Sequence, residues 1–178
     1  MRKLKVTELK RIDVRQFKAS DKTPLTVVLD DVRSMYNVGS VFRTADSFRL
    51  EKIMLCGITA CPPHPEIHKT ALGAELSMEW KKCENTIEAV NKLHEEGYEV
   101  YALEQVEHSV PLQNFKVEQG KKYALILGNE VKGVWQEAVK ICDGAIGSPQ
   151  FGTKHSMNVS VSGGIAIWQI ASQLLKLQ

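Results

Sequence analysis

Ser156-Met157-Asn158-Val159-Ser160-Val161-Ser162-Gly163-Gly164-Ile165 opens on polar, turn-forming residues and runs on into an apolar pattern of helical spacing. Ser, Asn and Gly side chains or backbones favour caps and tight turns over helix interiors. Their place at a helix start predicts a loop that turns backbone N–H groups towards a ligand before a helix beginning near Val159. Two stretches upstream share the anomaly: Asn37-Val38-Gly39-Ser40-Val41-Phe42-Arg43-Thr44-Ala45 and Leu127-Gly128-Asn129-Glu130-Val131-Lys132-Gly133. Each puts small and polar residues straight after an apolar strand.

Around these stretches, short β-branched or aromatic runs alternate with helical patterns, the signature of an α/β domain with a mainly parallel sheet. Strands are expected at Leu25–Leu29, Lys52–Cys56, Glu99–Leu103, Tyr123–Leu127 and Gly144–Ile146, with a further short one near Met78–Trp80. Asn85 with Glu88 reads as a capping pair for a helix that Gly97 closes. On the last helix, Val161, Ile165, Trp168, Ala171 and Leu175 form one apolar row, and Ile167, Ile170, Leu174 and Leu177 form another. One row can face the sheet; a second predicts another cover, such as a homodimer interface, the alternative being a single broad buried stripe.

The 178 residues, 43% hydrophobic and 25% charged, suit one compact domain with a sizeable core. A net charge of +2 excludes a polycation that coats nucleic acid indiscriminately, so any such contact is local. The first 24 residues carry a basic excess: Arg2, Lys3, Lys5, Lys10, Arg11, Arg15, Lys18 and Lys22 against Glu8, Asp13 and Asp21. Charge runs of this kind are usually solvated ends. The domain proper is read as residues 25–178. Cys56, Cys61, Cys83 and Cys142 show no CxxC pair, and no long apolar run or secretory signal is present. Those features point to a reduced, cytoplasmic setting without a membrane span. Cys61, His64 and His68 lack a fourth ligand and sit among stiffening prolines, so no metal is expected.

In an open α/β sheet, ligands collect where loops leave the carboxyl ends of strands. The loops after Leu103, at 128–133 and at 148–156 therefore converge on a flat, polar ligand. No G-x-G-x-x-G is present, and the P-loop-like spacing of Gly128 and Gly133 continues Val134-Trp135 where Lys-Ser/Thr is needed. ATP chemistry and hydride transfer are disfavoured.

Three ordered motifs, N-V-G-S-V-F-R-T-A-D at 37–46, L-I-L-G-N-E-V-K-G-V at 125–134 and S-P-Q-F-G-T-K-H-S-M-N-V-S-V-S-G-G-I at 148–165, resemble those of the SpoU/TrmH-type RNA 2′-O-methyltransferases of the SPOUT superfamily. H-K-T-A-L-G-A-E at 68–75 adds a fourth. The resemblance implies a Rossmann-like, mainly parallel sheet with a C-terminal deep trefoil knot, an obligate homodimer, and S-adenosylmethionine held by Leu103, Gly128, Asn129, Ser148, Ser156 and Met157. It implies methyl transfer to a ribose 2′-hydroxyl of structured RNA, tRNA before rRNA, at a guanosine or wobble nucleotide. The implied catalytic set is Asn37, Arg43, Glu130, Ser156 and Asn158.

Each implied role has a physical rationale. Arg43 suits binding the adjacent phosphate and stabilising charge on oxygen, whereas a guanidinium holds its proton too tightly to serve well as a base. Glu130 would orient Arg43 or the substrate, and Ser156 and Asn158 would fix the cofactor end and the helix entry by capping bonds. Read without the family pattern, Asn37, Ser156 and Asn158 are helix caps and Glu130 a surface acid. Two departures stand out: Ser148 replaces an aliphatic residue before Pro149, and Gly163-Gly164 replaces bulkier residues, which predicts close approach of another helix. A noncatalytic RNA-binding module of the same fold is the alternative, and methylation of a base or a protein a third reading.

Overall fold

The computed structural model describes residues 1–9 and 11–177, apart from the side chain of Val6; Lys10 of the basic segment lies outside the described residues. Its architecture follows from β1 (Thr23–Asp30), whose Leu25, Val27, Val28 and Leu29 are all fully buried. A strand apolar on both faces belongs in the middle of a parallel sheet with helices on each side. Strands β2 (Leu50–Cys56), β3 (Trp80–Cys83), β4 (Tyr98–Leu103), β5 (Val110–Pro111), β6 (Lys122–Leu127) and β7 (Gly144–Gly147) complete it. The order is β3-β2-β1-β6-β4-β7-β5, every pairing is parallel, and Val27 registers with Ile53 on one side and Leu125 on the other.

The period-two alternation of strand side chains splits the core into two layers. Leu25, Val27 and Leu29 of β1 and Tyr123, Leu125 and Leu127 of β6 face α2 (Met35–Ser47) and α7 (Val159–Leu174). Val28, Ala124 and Ile126 face α5 (Thr86–Glu95) and α6 (Gln136–Ile141) on the opposite side. The remaining helices are α1 (Val14–Ala19), α3 (Pro65–Ala71) and α4 (Ala74–Ser77). Phe17 of α1 is buried in the first layer, so part of the basic N-terminal segment is seated on the domain.

The sequence-based strands lie within one or two residues of β1, β2, β4, β6 and β7. The sixth is displaced: Met78 follows α4, and pairing with β2 starts only at Trp80. The two-residue edge strand β5, which contains a proline, carries too short a pattern to read. Asn85 does cap α5, accepting from the Glu88 N–H at 2.9 Å, but Glu88 reaches back to the Glu84 N–H rather than to Asn85.

Helix α7 starts at the expected Val159, capped by Asn158, which accepts from the Ser160 and Val161 N–H groups. Ile167 and Ile170 bury against the sheet together with Ala171, while Val161, Ile165 and Trp168 remain 53%, 45% and 50% exposed. At Gly163 the expected close approach is to a strand rather than to another helix. A Cβ on Gly163 would stand 2.6 Å from Leu127 Cδ1, so this glycine lets α7 close on strand β6, and Gly164 faces open space.

Candidate cofactor cavity and the arginine beside it

A cavity of about 450 Å³ opens at the carboxyl ends of β4, β6 and β7. That is within the ~300–1,000 Å³ usual for small-molecule sites. Its wall brings together Leu103, Gly128, Asn129, Glu130, Ser148, Ser156 and Met157, seven residues scattered over more than fifty positions of sequence.

The loop after β6 forms the floor. The Asn129 and Gly133 N–H groups donate to each other's carbonyls at 3.0 and 2.9 Å, closing a tight turn with Gly133 at φ +70°. The Asn129 side chain accepts from the Val131 and Lys132 N–H groups and donates to the Asp31 carbonyl at 2.7 Å, tying the turn to the end of β1. Gly128 is required for steric reasons: a Cβ there would lie 2.2 Å from the Gly133 carbonyl carbon and the Val134 nitrogen. With Asn129 and Gly133 bonded across the turn, the loop does not form the anion cradle of a P-loop.

Glu130 joins the three motifs. One carboxylate oxygen accepts from the Ser34 N–H and the Asn37 amide, both at 3.0 Å, and the other from the Arg33 N–H at 3.0 Å. Asn37 in turn accepts from the Asn158 amide at 3.1 Å. Burial pushes the Glu130 carboxyl up, but the Arg33 N–H, the Asn37 amide and the Ser34 N–H together outweigh it and hold the group below its ordinary value. Ser34, not Asn37, caps α2, accepting from the Asn37 N–H at 3.3 Å. The buried Asn37 is thereby free to reach across to the other two motifs.

Ser156 is exposed on the cavity wall and caps no helix among the described residues. Ser148 is 7% exposed, and its hydroxyl has no hydrogen-bond partner among the described residues. Its place on the lining makes this hydroxyl a candidate polar contact for a ligand. Sequence reading named the loop after Leu103 but missed Glu104, which receives the Val134 N–H at 3.0 Å and the Gln105 N–H at 2.8 Å and so locks the β4 and β6 loops together. Its only sequence signal is a carboxylate directly after a strand.

Arg43 lies apart from this cavity. It projects from the outer face of α2 into a second cavity of about 430 Å³, lined also by Ser40, Thr44, Ser47, Lys69 and Thr70. Glu130 contacts neither its guanidinium nor any other cation among the described residues. His64, at the start of α3, accepts from the Glu66 N–H, and His68 within α3 pairs with Glu75 of α4. No group of three potential metal-ligating side chains gathers among the described residues, and no described helix is long and apolar enough to cross a membrane.

A parallel α/β sheet with a cavity at the carboxyl ends of its strands, floored by a closed glycine turn, is the arrangement of the open α/β folds that bind ligands at that edge. The chain matches the SpoU rRNA Methylase family over residues 24–168 and belongs to that family. It is 30% identical over 148 residues to a Borreliella burgdorferi protein described as an uncharacterized tRNA/rRNA methyltransferase, covering 83% of this chain and 64% of that one. It is 28% identical over 170 residues to a tRNA (guanosine(18)-2'-O)-methyltransferase of Thermus thermophilus, covering 96% and 86%. The chain thus spans just under two thirds of the first relative and most of the second. Among solved structures, the A. aeolicus TrmH/SpoU tRNA modifying enzyme superimposes with a TM-score of 0.79 at 23% identity, covering 92% of this chain and 83% of that one. An AdoMet-bound rRNA methyltransferase from Sinorhizobium meliloti does so with 0.79 at 25% identity, covering 89% and 60%.

Proposed function

We propose that the chain is an S-adenosylmethionine-dependent methyltransferase acting on a ribose 2′-hydroxyl of structured RNA, with tRNA the first substrate to test and rRNA the second. The observation that carries it is the cavity at the ends of β4, β6 and β7, with its orphaned Ser148 hydroxyl and the Glu130–Asn37–Asn158 network beside it. The donor set fits the cofactor. Leu103, Leu127 and Val134 offer apolar surface for a flat base, the Ser148 hydroxyl a polar contact, and the Glu104 and Glu130 carboxylates, each held by hydrogen bonds from the surrounding loops, a negative potential on the wall that favours a cation. When bound, S-adenosylmethionine supplies an electrophilic methyl group on a sulfonium.

The protein's own contribution is position and charge. Holding acceptor and donor in line removes much of the entropic barrier to displacement. Arg43 would grip the phosphate next to the acceptor ribose and stabilise charge developing on its oxygen. Asn37, Glu130 and Asn158 keep α2, the β6 loop and α7 in register, so Arg43 and the cavity hold a fixed relation within a subunit. The exposed row Val161, Ile165 and Trp168 supports a homodimer in which Arg43 of one subunit serves the cavity of the other. The C-terminal trefoil knot belongs to the same proposal; the passage of the 148–158 loop past the cavity mouth before α7 packs back on β1 and β6 supports it. The same proposal takes residues 25–178 as the catalytic domain, with α1 of the basic 1–24 segment and the first two residues of β1 packed into it, and the cytoplasm as the location.

The test is to incubate the protein with methyl-labelled S-adenosylmethionine and total cellular RNA and to map the label. Label on one ribose 2′-oxygen is expected. Label on a nucleobase overturns the ribose assignment, and no calorimetric uptake of S-adenosylmethionine reduces the protein to an RNA-binding module.

A further inference from the structure

The motif His68–Glu75 takes no part in the cofactor cavity, yet α3 places Lys69 and Thr70 in the second cavity beside Arg43. Six residues line that cavity: two cations, four hydroxyls and no carboxylate. Neither cation has a counter-ion among the described residues; Lys69 Nζ lies only over the Tyr36 ring, 5.9 Å from its centroid. The hydroxyl protons are already committed. Ser40 donates to the Tyr36 carbonyl at 2.8 Å, Thr44 to Ser40 at 3.0 Å, Ser47 to Arg43 at 2.9 Å and Thr70 to Tyr36 at 2.9 Å. An anion there must be held by the two cations, while the hydroxyl oxygens retain lone pairs that can only accept.

The relation of Lys69 to Arg43 is built in. A Cβ on Gly39 would stand 2.2 Å from both the Ile67 carbonyl oxygen and Thr70 Oγ1, so only glycine lets α2 and α3 close this far. The Thr70 hydroxyl then bonds the Tyr36 carbonyl of the facing helix.

We propose that Lys69 and Arg43 together seat the phosphodiester backbone of the RNA, with the cavity hydroxyls accepting from a ribose hydroxyl, so that Lys69 is a positioning residue for the strand that presents its ribose. Cations without counter-ions are matched to a polyanion, and acceptor-only hydroxyls are matched to the 2′-hydroxyl that distinguishes RNA from DNA. This rests on the RNA reading above.

The experiment measures RNA affinity by fluorescence anisotropy as a function of salt for the wild type, Lys69→Gln and Lys69→Arg, with S-adenosylmethionine uptake followed by calorimetry. Loss of one phosphate contact lowers the slope of log affinity against log salt by roughly 0.7–0.9. Lys69→Gln is expected to show that loss with unchanged cofactor uptake, and Lys69→Arg to restore the slope. An unchanged slope in Lys69→Gln, with the wild type binding and methylating RNA, overturns the seat alone. A wild type that binds no RNA overturns the seat and the RNA reading together.

Discussion

Glu130 accepts three hydrogen bonds from groups on and before α2, and its neutralisation should therefore be felt as a loosening of the site rather than as a surface effect. In Glu130→Gln an amide NH2 would face donors that need an acceptor, at a cost of ~1–3 kcal/mol. Because the folded carboxyl titrates below its ordinary 4.5, its contribution is present above that pH and is lost as the pH falls below it. Thermal unfolding followed from pH 7 to pH 3 should show the wild type losing stability across the acid limb and Glu130→Gln losing less; parallel curves would contradict the role. At this scale Asn37, Glu130 and Asn158 were readable as a set only through motif order. Taken singly each is an ordinary cap or surface acid, and Asn158 does cap α7 while also bonding Asn37. Glu104 was unreadable because its partner, the Val134 N–H, is thirty positions away.

Between elements, the contact of α2 with α3 is the most sharply constrained. Gly39→Ala gains helix propensity but forces a methyl against two oxygens at 2.2 Å, one of them backbone, so the helices must separate. A net loss of ~1–3 kcal/mol is expected. For a chain of this size the melting temperature should fall by roughly 2–4 °C per kcal/mol, and calorimetry that finds Gly39→Ala as stable as the wild type would refute the close approach. Strand positions were readable because β1, β6 and the second half of β2 are runs of buried residues, mostly apolar, while β4 alternates buried Tyr98, Val100 and Ala102 with half-buried neighbours. β3 was misplaced because Trp80-Lys81-Lys82-Cys83 alternates weakly, with both lysines exposed.

For the whole molecule, the row Val161, Ile165 and Trp168 on α7, continued by Phe48 with its ring 5.6 Å from that of Trp168, is apolar surface in want of a cover. If a second copy covers it, Ile165→Asp should sediment as a monomer at micromolar concentration, retain S-adenosylmethionine uptake and lose RNA methylation, because Arg43 and the cavity would no longer meet across subunits. A wild type that sediments as a strict monomer, or an Ile165→Asp protein that stays dimeric, would remove the interface. Two apolar rows on one terminal helix were legible in the sequence, although periodicity could not say that Ile167 and Ile170 face the sheet and Val161, Ile165 and Trp168 do not.

Composition, strand patterning and the three ordered motifs were sufficient for the α/β class, the positions of five strands, the start of α7 and the family, because buried periodicity and local turn chemistry are written in short stretches of chain. The meeting of those motifs through Glu130, the separation of Arg43 from the candidate cavity and its place with Lys69 on the wall of a second one were settled by packing. Contacts between residues tens to more than a hundred positions apart depend on strand order and on close approaches at Gly39, Gly128 and Gly163, which no local window of sequence records.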